Sequence, residues 1–117
     1  MKKIVCIILL STLTGFSGRA QVRFQSLQNG WQFRKAGDKQ WRPATVPGTV
    51  HTDLLNNHLI PDPFFADNEK KLAWIDRCDW EYRLRFQADG ATLSRQRIDL
   101  VFEGLDTYAD VYLNDKL

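Results

Sequence analysis

The sequence predicts an all-β fold: a β-sandwich or jelly roll, incomplete within this chain, with one short helix. Apolar and polar residues alternate with a period of two in several short segments, as half-buried antiparallel strands require. Four Trp, seven Phe and three Tyr among the 117 residues suit the same class, because aromatic side chains favour sheets. The alternating segments supply about half of the eight strands that a jelly roll uses, so we expect half a sandwich.

The opening strand and the helix come first along the chain. Trp31 and Phe33 share one face of a short strand and are expected in the core. Thr49 is a suitable N-cap for a helix over residues 50–55, and Pro61 stops that helix. The polar residues that follow Pro61 are expected to form loops.

Three further strands are predicted after these loops. The clearest spans residues 80–86 and ends at Asp89-Gly90, and two more cover residues 97–103 and 108–113. Asn114-Asp115 is then expected to turn the chain, because both residue types tolerate left-handed backbone. The apolar face of the first of these strands, expected in the core, carries Trp80, Tyr82, Leu84 and Phe86.

Residues 1–20 are predicted to be a secretory signal peptide. Lys2 and Lys3 precede an unbroken apolar run over residues 4–10, and Gly18-Arg19-Ala20 supplies small residues for a cut before Gln21. A membrane anchor is the alternative, but the run is far shorter than the ~20 apolar residues that span a bilayer. We therefore expect residues 21–117 to be exported as one partial domain, to the periplasm or the medium.

The charge balance argues against nucleic acid as a partner. The chain has 16 basic and 14 acidic residues, and Lys2, Lys3 and Arg19 lie within the predicted signal. The exported part therefore keeps 13 basic residues against 14 acidic ones, a net charge of −1. No Lys/Arg stripe remains that could follow a phosphate backbone.

The cysteines and histidines give weak signals for chemistry. Cys6 leaves with the predicted signal, so Cys78 has no partner for an internal disulfide and is interpreted as buried or incidental. His51 and Asp53 could form an acid–base pair, but no Ser or Cys nucleophile stands in a recognisable elbow. His51 and His58 are too far apart in sequence for a typical zinc motif, so we assign both a structural or surface role.

Acidic and aromatic side chains of the connecting segments were the remaining candidates for a site. The carboxylates lack the spacing of a calcium loop, and nothing in the sequence fixes two of them at the separation of a glycosidase's catalytic pair. They are interpreted as solvated loop charges. Trp74, in a polar region, is the candidate for an exposed sugar platform, with packing at the sandwich edge as the alternative. The acidic residues in question are Asp62, Asp67, Glu69, Asp76 and Asp79.

A series of motifs runs in order through residues 29–114. They are Gly30-Trp31-Gln32-Phe33, Trp41-Arg42-Pro43-Ala44, Val46-Pro47-Gly48-Thr49, Val50-His51-Thr52-Asp53-Leu54-Leu55, Ile60-Pro61-Asp62-Pro63-Phe64-Phe65, Asn68-Glu69, Asp79-Trp80-Glu81-Tyr82-Arg83 and Phe102-Glu103-Gly104-Leu105-Asp106-Thr107-Tyr108-Ala109-Asp110-Val111-Tyr112-Leu113-Asn114. Together they resemble the N-terminal jelly-roll, galactose-binding-like domain of glycoside hydrolase family 2. The segments around His51 and Pro63 resemble the β-mannosidase branch of that family most.

The resemblance implies a secreted bacterial enzyme that removes terminal β-mannose with retention of configuration. In that family two glutamates at the C-terminal ends of TIM-barrel strands do the chemistry. That barrel is not in this chain, so we assign no catalytic residue, no metal and no cofactor, and carbohydrate is expected to bind through the missing domains. The family usually has Asn-Gly where this chain has Asn114-Asp115, a change that should weaken the turn.

Three roles follow as hypotheses. The first, which we expect, is the N-terminal fragment of a secreted retaining β-mannosidase, non-catalytic as it stands. The second is a stand-alone carbohydrate-binding module or a non-catalytic remnant. The third is a secreted domain whose open sheet edge complements another chain. Half a sandwich leaves edges uncovered, so poor solubility is expected for the chain alone.

Overall fold

The computed structural model describes residues 22–117, and the predicted signal peptide lies outside them. The described residues form three strands, three α-helices and one 3₁₀ helix. In chain order these are β1 (Gln32–Lys35), β2 (Arg42–Pro43), α1 (Val50–Asn56), α2 (Asn68–Leu72), the 3₁₀ helix (Ile75–Arg77), β3 (Trp80–Arg83) and α3 (Gly90–Leu93). No helix within this part of the chain is long and apolar enough to cross a membrane.

The strands form one antiparallel sheet with β1 in the centre, in the order β2-β1-β3. Phe33 lies opposite Tyr82, and Arg34 lies opposite Glu81, so the alternation of the sequence separates an apolar face from a charged one. This confirms the opening strand and the first part of the strand predicted over residues 80–86, which ends at Arg83. The sequence did not predict β2, because two residues are too few to show a period.

Helix α1 begins where the sequence predicts. The Thr49 hydroxyl accepts a hydrogen bond from the Thr52 N–H at 3.2 Å, and the Thr52 hydroxyl accepts one from the Thr49 N–H at 2.9 Å. This reciprocal capping box satisfies two donors that a helix start would otherwise leave free. The helix ends at Asn56, before Pro61, and His58 follows with a positive φ of 56°.

Helix α2 occupies a segment that was expected to be a loop, and the 3₁₀ helix and α3 lie in segments for which the sequence predicted no element. Each is three to five residues long, which is too short for an apolar stripe to repeat. Helix α3 is held at its start by Asp89, whose carboxylate accepts from the Thr92 N–H at 2.7 Å.

The core lies between the apolar face of the sheet and the helical connection from β2 to β3. Trp80 and Tyr82 pack against it, as expected, while Trp31 is half-buried. The expectation for Phe86 is wrong, because its side chain lies beyond the end of β3 and is 43% exposed. The buried apolar residues are Phe33, Leu54, Ile60, Leu72 and Ile75.

Residues 97–103 and 108–113 are not strands, in contrast to the prediction. An alternating pattern determines which face a strand would bury, but the strand also needs a neighbour for its backbone hydrogen bonds. Within the described residues nothing pairs with the free edge of β3. The predicted turn at Asn114-Asp115 is confirmed, with φ of 50° and 61° inside the Leu113–Lys116 bridge. The sandwich itself stays a prediction.

Candidate functional site

Asp53 of α1 is a buried carboxylate that ties three segments together. It is 1% exposed, and its Oδ1 accepts a hydrogen bond from the Thr45 N–H at 2.7 Å. Its Oδ2 accepts from the Tyr82 hydroxyl of β3, also at 2.7 Å. Burial first, and then the hydrogen bond and charge of Asp53, raise the pKa of the Tyr82 hydroxyl well above its usual range. Asp53 therefore joins the loop before α1 to the sheet.

His51 and Asp53 do not form the acid–base pair that their spacing offered. Residues two apart on a helix point in different directions, so Asp53 turns into the core while His51 stays partly exposed. The His51 Nε2 instead lies 3.9 Å from the Oδ1 of Asp76, next to the 3₁₀ helix. The surface role assigned to His51 agrees with this position.

An open cleft of about 450 Å³ lies beside His51. An imidazole, two carboxylates and one ammonium group surround an apolar floor, an arrangement that can exchange hydrogen bonds with a polar ligand. Within residues 22–117 no three His, Cys, Asp or Glu side chains are grouped so that they could hold a metal ion. The lining of this His51 cleft consists of His51, Pro63, Glu69, Lys70, Leu72, Ala73 and Asp76.

The loop between Pro61 and α2 presents two phenylalanines to solvent. Phe64 is 96% exposed and Phe65 is 72% exposed. The loop is internally bonded, because the Asp62 carboxylate accepts from the Phe64 N–H at 2.9 Å and the Asn68 side chain donates to the Asp62 carbonyl at 2.9 Å. The sequence analysis missed this aromatic surface. The Asp-x-Phe spacing of an Asx turn was the available signal.

Trp74 borders a second, smaller cavity of about 180 Å³ at the end of β1. The Trp74 ring centroid lies 6.1 Å from the Trp80 ring centroid and 5.8 Å from the Lys35 Nζ, and Trp74 is 40% exposed. The sugar-platform hypothesis for Trp74 stays a prediction. This Trp74 cavity is lined by Phe33, Arg34, Lys35, Asp38, Gln40, Arg42, Leu54, Leu59, Trp74 and Trp80.

Trp41 and Cys78 have structural contacts. The Trp41 ring lies under two guanidinium groups of the charged sheet face, with the Cζ of Arg34 at 4.3 Å and that of Arg83 at 4.0 Å from its centroid. Cys78 is a free thiol whose Sγ–H donates to the Trp74 carbonyl at 3.3 Å. Both residues therefore support neighbouring backbone and side chains.

Comparison with known proteins identifies relatives over most of the described residues. The sequence profile of the family described as "Glycosyl hydrolase 2 galactose-binding domain-like" matches residues 31–117. A "Beta-mannosidase" of Bos taurus is 34% identical over 108 residues, which cover 92% of this chain and 12% of the relative. A "Beta-mannosidase B" of Aspergillus terreus is 40% identical over 94 residues, covering 77% of this chain and 11% of the relative.

A solved structure gives the same indication. The crystal structure of a beta-D-mannosidase from Dictyoglomus thermophilum is 47% identical to this chain, with a TM-score of 0.55. The match covers 56% of this chain and 8% of that protein. The chain thus spans only about a tenth of the length of the relatives that it matches.

Proposed function

The chain belongs to the glycosyl hydrolase 2 galactose-binding domain-like family, and from this we propose that it serves as the N-terminal, non-catalytic domain of a secreted retaining β-mannosidase. The observation that carries the proposal is the similarity to proteins named beta-mannosidase. Eight of them are 31–40% identical to it and align with 75–93% of its length.

The catalytic carboxylates would come from the rest of the longer enzyme. Retention of configuration requires two carboxyl groups ~5–5.5 Å apart on either side of the scissile bond. Of the glutamates in the described residues, Glu81 is bound to the guanidinium of Arg34, and Glu69 lies on the His51 cleft. Glu69 shares that cleft with Asp76, and Glu103 is exposed. On this proposal the chain's own part is structural support and sugar contact.

The connection between β2 and β3 is the part that would support a sugar pocket. Asp53 binds α1 to the sheet, and the loop after Pro61, whose backbone is hydrogen-bonded to Asp62 and Asn68, carries the exposed Phe64 and Phe65 directly after Pro63 of the His51 cleft. An exposed aromatic surface on a hydrogen-bonded loop is suited to contact with a ligand or a neighbouring domain.

A chimera tests the proposal. The segment of the Dictyoglomus thermophilum enzyme that aligns with this chain is replaced by the corresponding residues of this chain, and hydrolysis of 4-nitrophenyl β-mannoside is measured. We expect the chimera to stay active on this substrate and inactive on the β-galactoside and the α-mannoside. A matched chimera that carries the segment of the Bos taurus relative controls for the junctions. A folded but inactive chimera, beside an active bovine control, would contradict the proposal.

Export is proposed on the basis of residues 1–20. Fusing them to alkaline phosphatase without its own signal should give phosphatase activity outside the bacterial cytoplasm, and replacing Leu9 and Leu10 with Asp should abolish it. Equal activity for both fusions would contradict export by this segment.

A stand-alone carbohydrate-binding module is the second candidate, and the exposure of Phe64 and Phe65 favours it. Such a module should be retained on insoluble mannan by itself, and Phe64→Ala with Phe65→Ala should release it. A chain that passes through mannan unretained, while the chimera is active, supports the domain role alone.

A further inference from the structure

We propose that the Trp74 cavity binds a pyranose that carries a carboxylate, that is, a uronic acid. This ligand is charged, unlike the neutral β-mannoside of the proposed function, and the Trp74 cavity shares no lining residue with the His51 cleft. The inference does not depend on the proposed function, because it uses only the side chains that line the cavity.

The Trp74 cavity carries more positive than negative charge, although the chain around it does not. Lys35 and Arg42 line it with their charges against the single carboxylate of Asp38, while the guanidinium of Arg34, also a lining residue, lies on the opposite face of the sheet over Trp41. Residues 21–117 have a net charge of −1, so the excess is local. Arg34 is already bound to Glu81 on the charged sheet face. Lys35 and Arg42 are therefore the cations that a ligand would meet.

Both of these cations keep donors for an anion. Within residues 22–117 neither Lys35 nor Arg42 forms an ion pair with a carboxylate. Arg42 donates one Nη2–H to the Gln40 side chain at 3.1 Å, and the Lys35 ammonium lies over the Trp74 ring. An arginine has five N–H donors and binds a carboxylate through two of them, while a lysine offers three. A carboxylate between the two would compensate both charges.

The size and the walls of the cavity fit one six-membered ring. An apolar cavity of ~150 Å³ in another protein takes up benzene, so the 180 Å³ available here holds a single ring. Trp74 and Trp80 form aromatic walls, and Leu54 and Leu59 are apolar neighbours. Aromatic side chains pack against the C–H face of a sugar ring through their apolar bodies.

The polar rim favours a sugar acid over a simple aromatic acid. The Asp38 carboxylate and the Gln40 side-chain oxygen can accept hydrogen bonds, and both residues are exposed at the cavity. Sugar hydroxyl groups donate such bonds, whereas the ring of benzoate has no donor and would meet the Asp38 charge without compensation.

The test compares D-glucuronate with D-glucose, two pyranoses that differ in the carboxylate. Binding to the full chain is followed through the indole N–H signals in ¹H–¹⁵N NMR spectra, with Trp74→Phe to assign the Trp74 signal. We expect glucuronate to shift the Trp74 signal at lower concentration than glucose, and added NaCl to weaken its binding. Lys35→Gln and Arg42→Gln should each weaken glucuronate binding about two- to fivefold, as exposed ion pairs do.

The controls make the outcomes decisive. Lys39→Gln removes a nearby cation that does not line the cavity, and it should leave glucuronate binding unchanged. Equal binding of glucose and glucuronate, or unchanged glucuronate binding in the Lys35→Gln/Arg42→Gln double variant, would overturn the proposal. Binding of benzoate as strongly as glucuronate would also overturn it, as would no shift of the Trp74 signal at any soluble glucuronate concentration.

Discussion

Removal of the Tyr82 hydroxyl tests whether the Asp53 carboxylate holds the domain together. Tyr82→Phe keeps the ring, which packs at a centroid distance of 5.8 Å from Phe33, and deletes only the hydrogen bond to Asp53. Asp53 is 1% exposed, so water cannot easily replace the lost donor. A hydrogen bond to a charged group contributes about 1.5–3 kcal/mol, and we expect the free energy of unfolding to fall by that amount.

Urea unfolding followed by tryptophan fluorescence measures this change. Tyr108→Phe is the matched control, because the Tyr108 side chain is 97% exposed, and it should leave stability within about 0.5 kcal/mol of the parent. Asp53→Asn should cost less than Asp53→Ala, since an amide can still accept from the Thr45 N–H.

A double-mutant cycle of Asp53→Ala and Tyr82→Phe isolates the interaction between the two side chains. Residues in direct contact couple by about 0.5–3 kcal/mol, and we expect a value above about 1 kcal/mol here. Additive effects, or a Tyr82→Phe variant as stable as the Tyr108→Phe control, would refute the role given to Asp53.

Three further predictions concern the backbone and two titrating groups. A Cβ at Gly48 would lie 2.4 Å from the carbonyl oxygen of Thr45, so Gly48→Ala should lower the free energy of unfolding by about 1–3 kcal/mol. A Cβ at Gly90 would meet no atom within 4 Å, so the control Gly90→Ala should not lower it. The folded-state pKa of Tyr82 is raised above its unfolded value near 10, so stability should fall as the pH rises above about 10, and Tyr82→Phe should remove that fall. Hydrogen bonds from Thr92 to the Asp89 carboxylate lower the pKa of Asp89. The backbone amide NMR signals of α3 should therefore shift only when the pH falls below the usual aspartate range, and Asp89→Asn should abolish this shift.

The sequence predicted those elements whose signal is local. The Thr49 cap predicted α1, the shared face of Trp31 and Phe33 predicted β1, and the alternation from Trp80 onward predicted β3, although β3 ends at Arg83 and not at residue 86. The Asn114-Asp115 turn was predicted for the same reason, since its conformation depends on the two residues themselves. The prediction of strands at 97–103 and 108–113 was wrong because a strand needs a second segment to pair with, and an alternating pattern describes only one of the two.

The candidate sites were less accessible to prediction because their parts are distant in sequence. Asp53 and Tyr82 are 29 residues apart in sequence. The partner that the sequence suggested for Asp53 was its near neighbour His51. The Trp74 cavity combines the end of β1, the residues leading into β2 and the 3₁₀ helix region. Of its lining the sequence offered only Trp74, on the basis of polar surroundings.

The most recognisable part of the chain, Val46 to Leu55, has a structural role. Within it Gly48 permits a close backbone approach, Thr49 caps the helix, and Asp53 binds to the sheet. Its last residues include Leu54, which lies in the core. A motif of this kind identifies the fold and the family, because those residues determine how the domain is built. It does not by itself locate a ligand site, which must be argued from the surfaces that the motif supports. Variants in this segment should therefore act first on stability, and variants at Lys35 and Arg42 on binding.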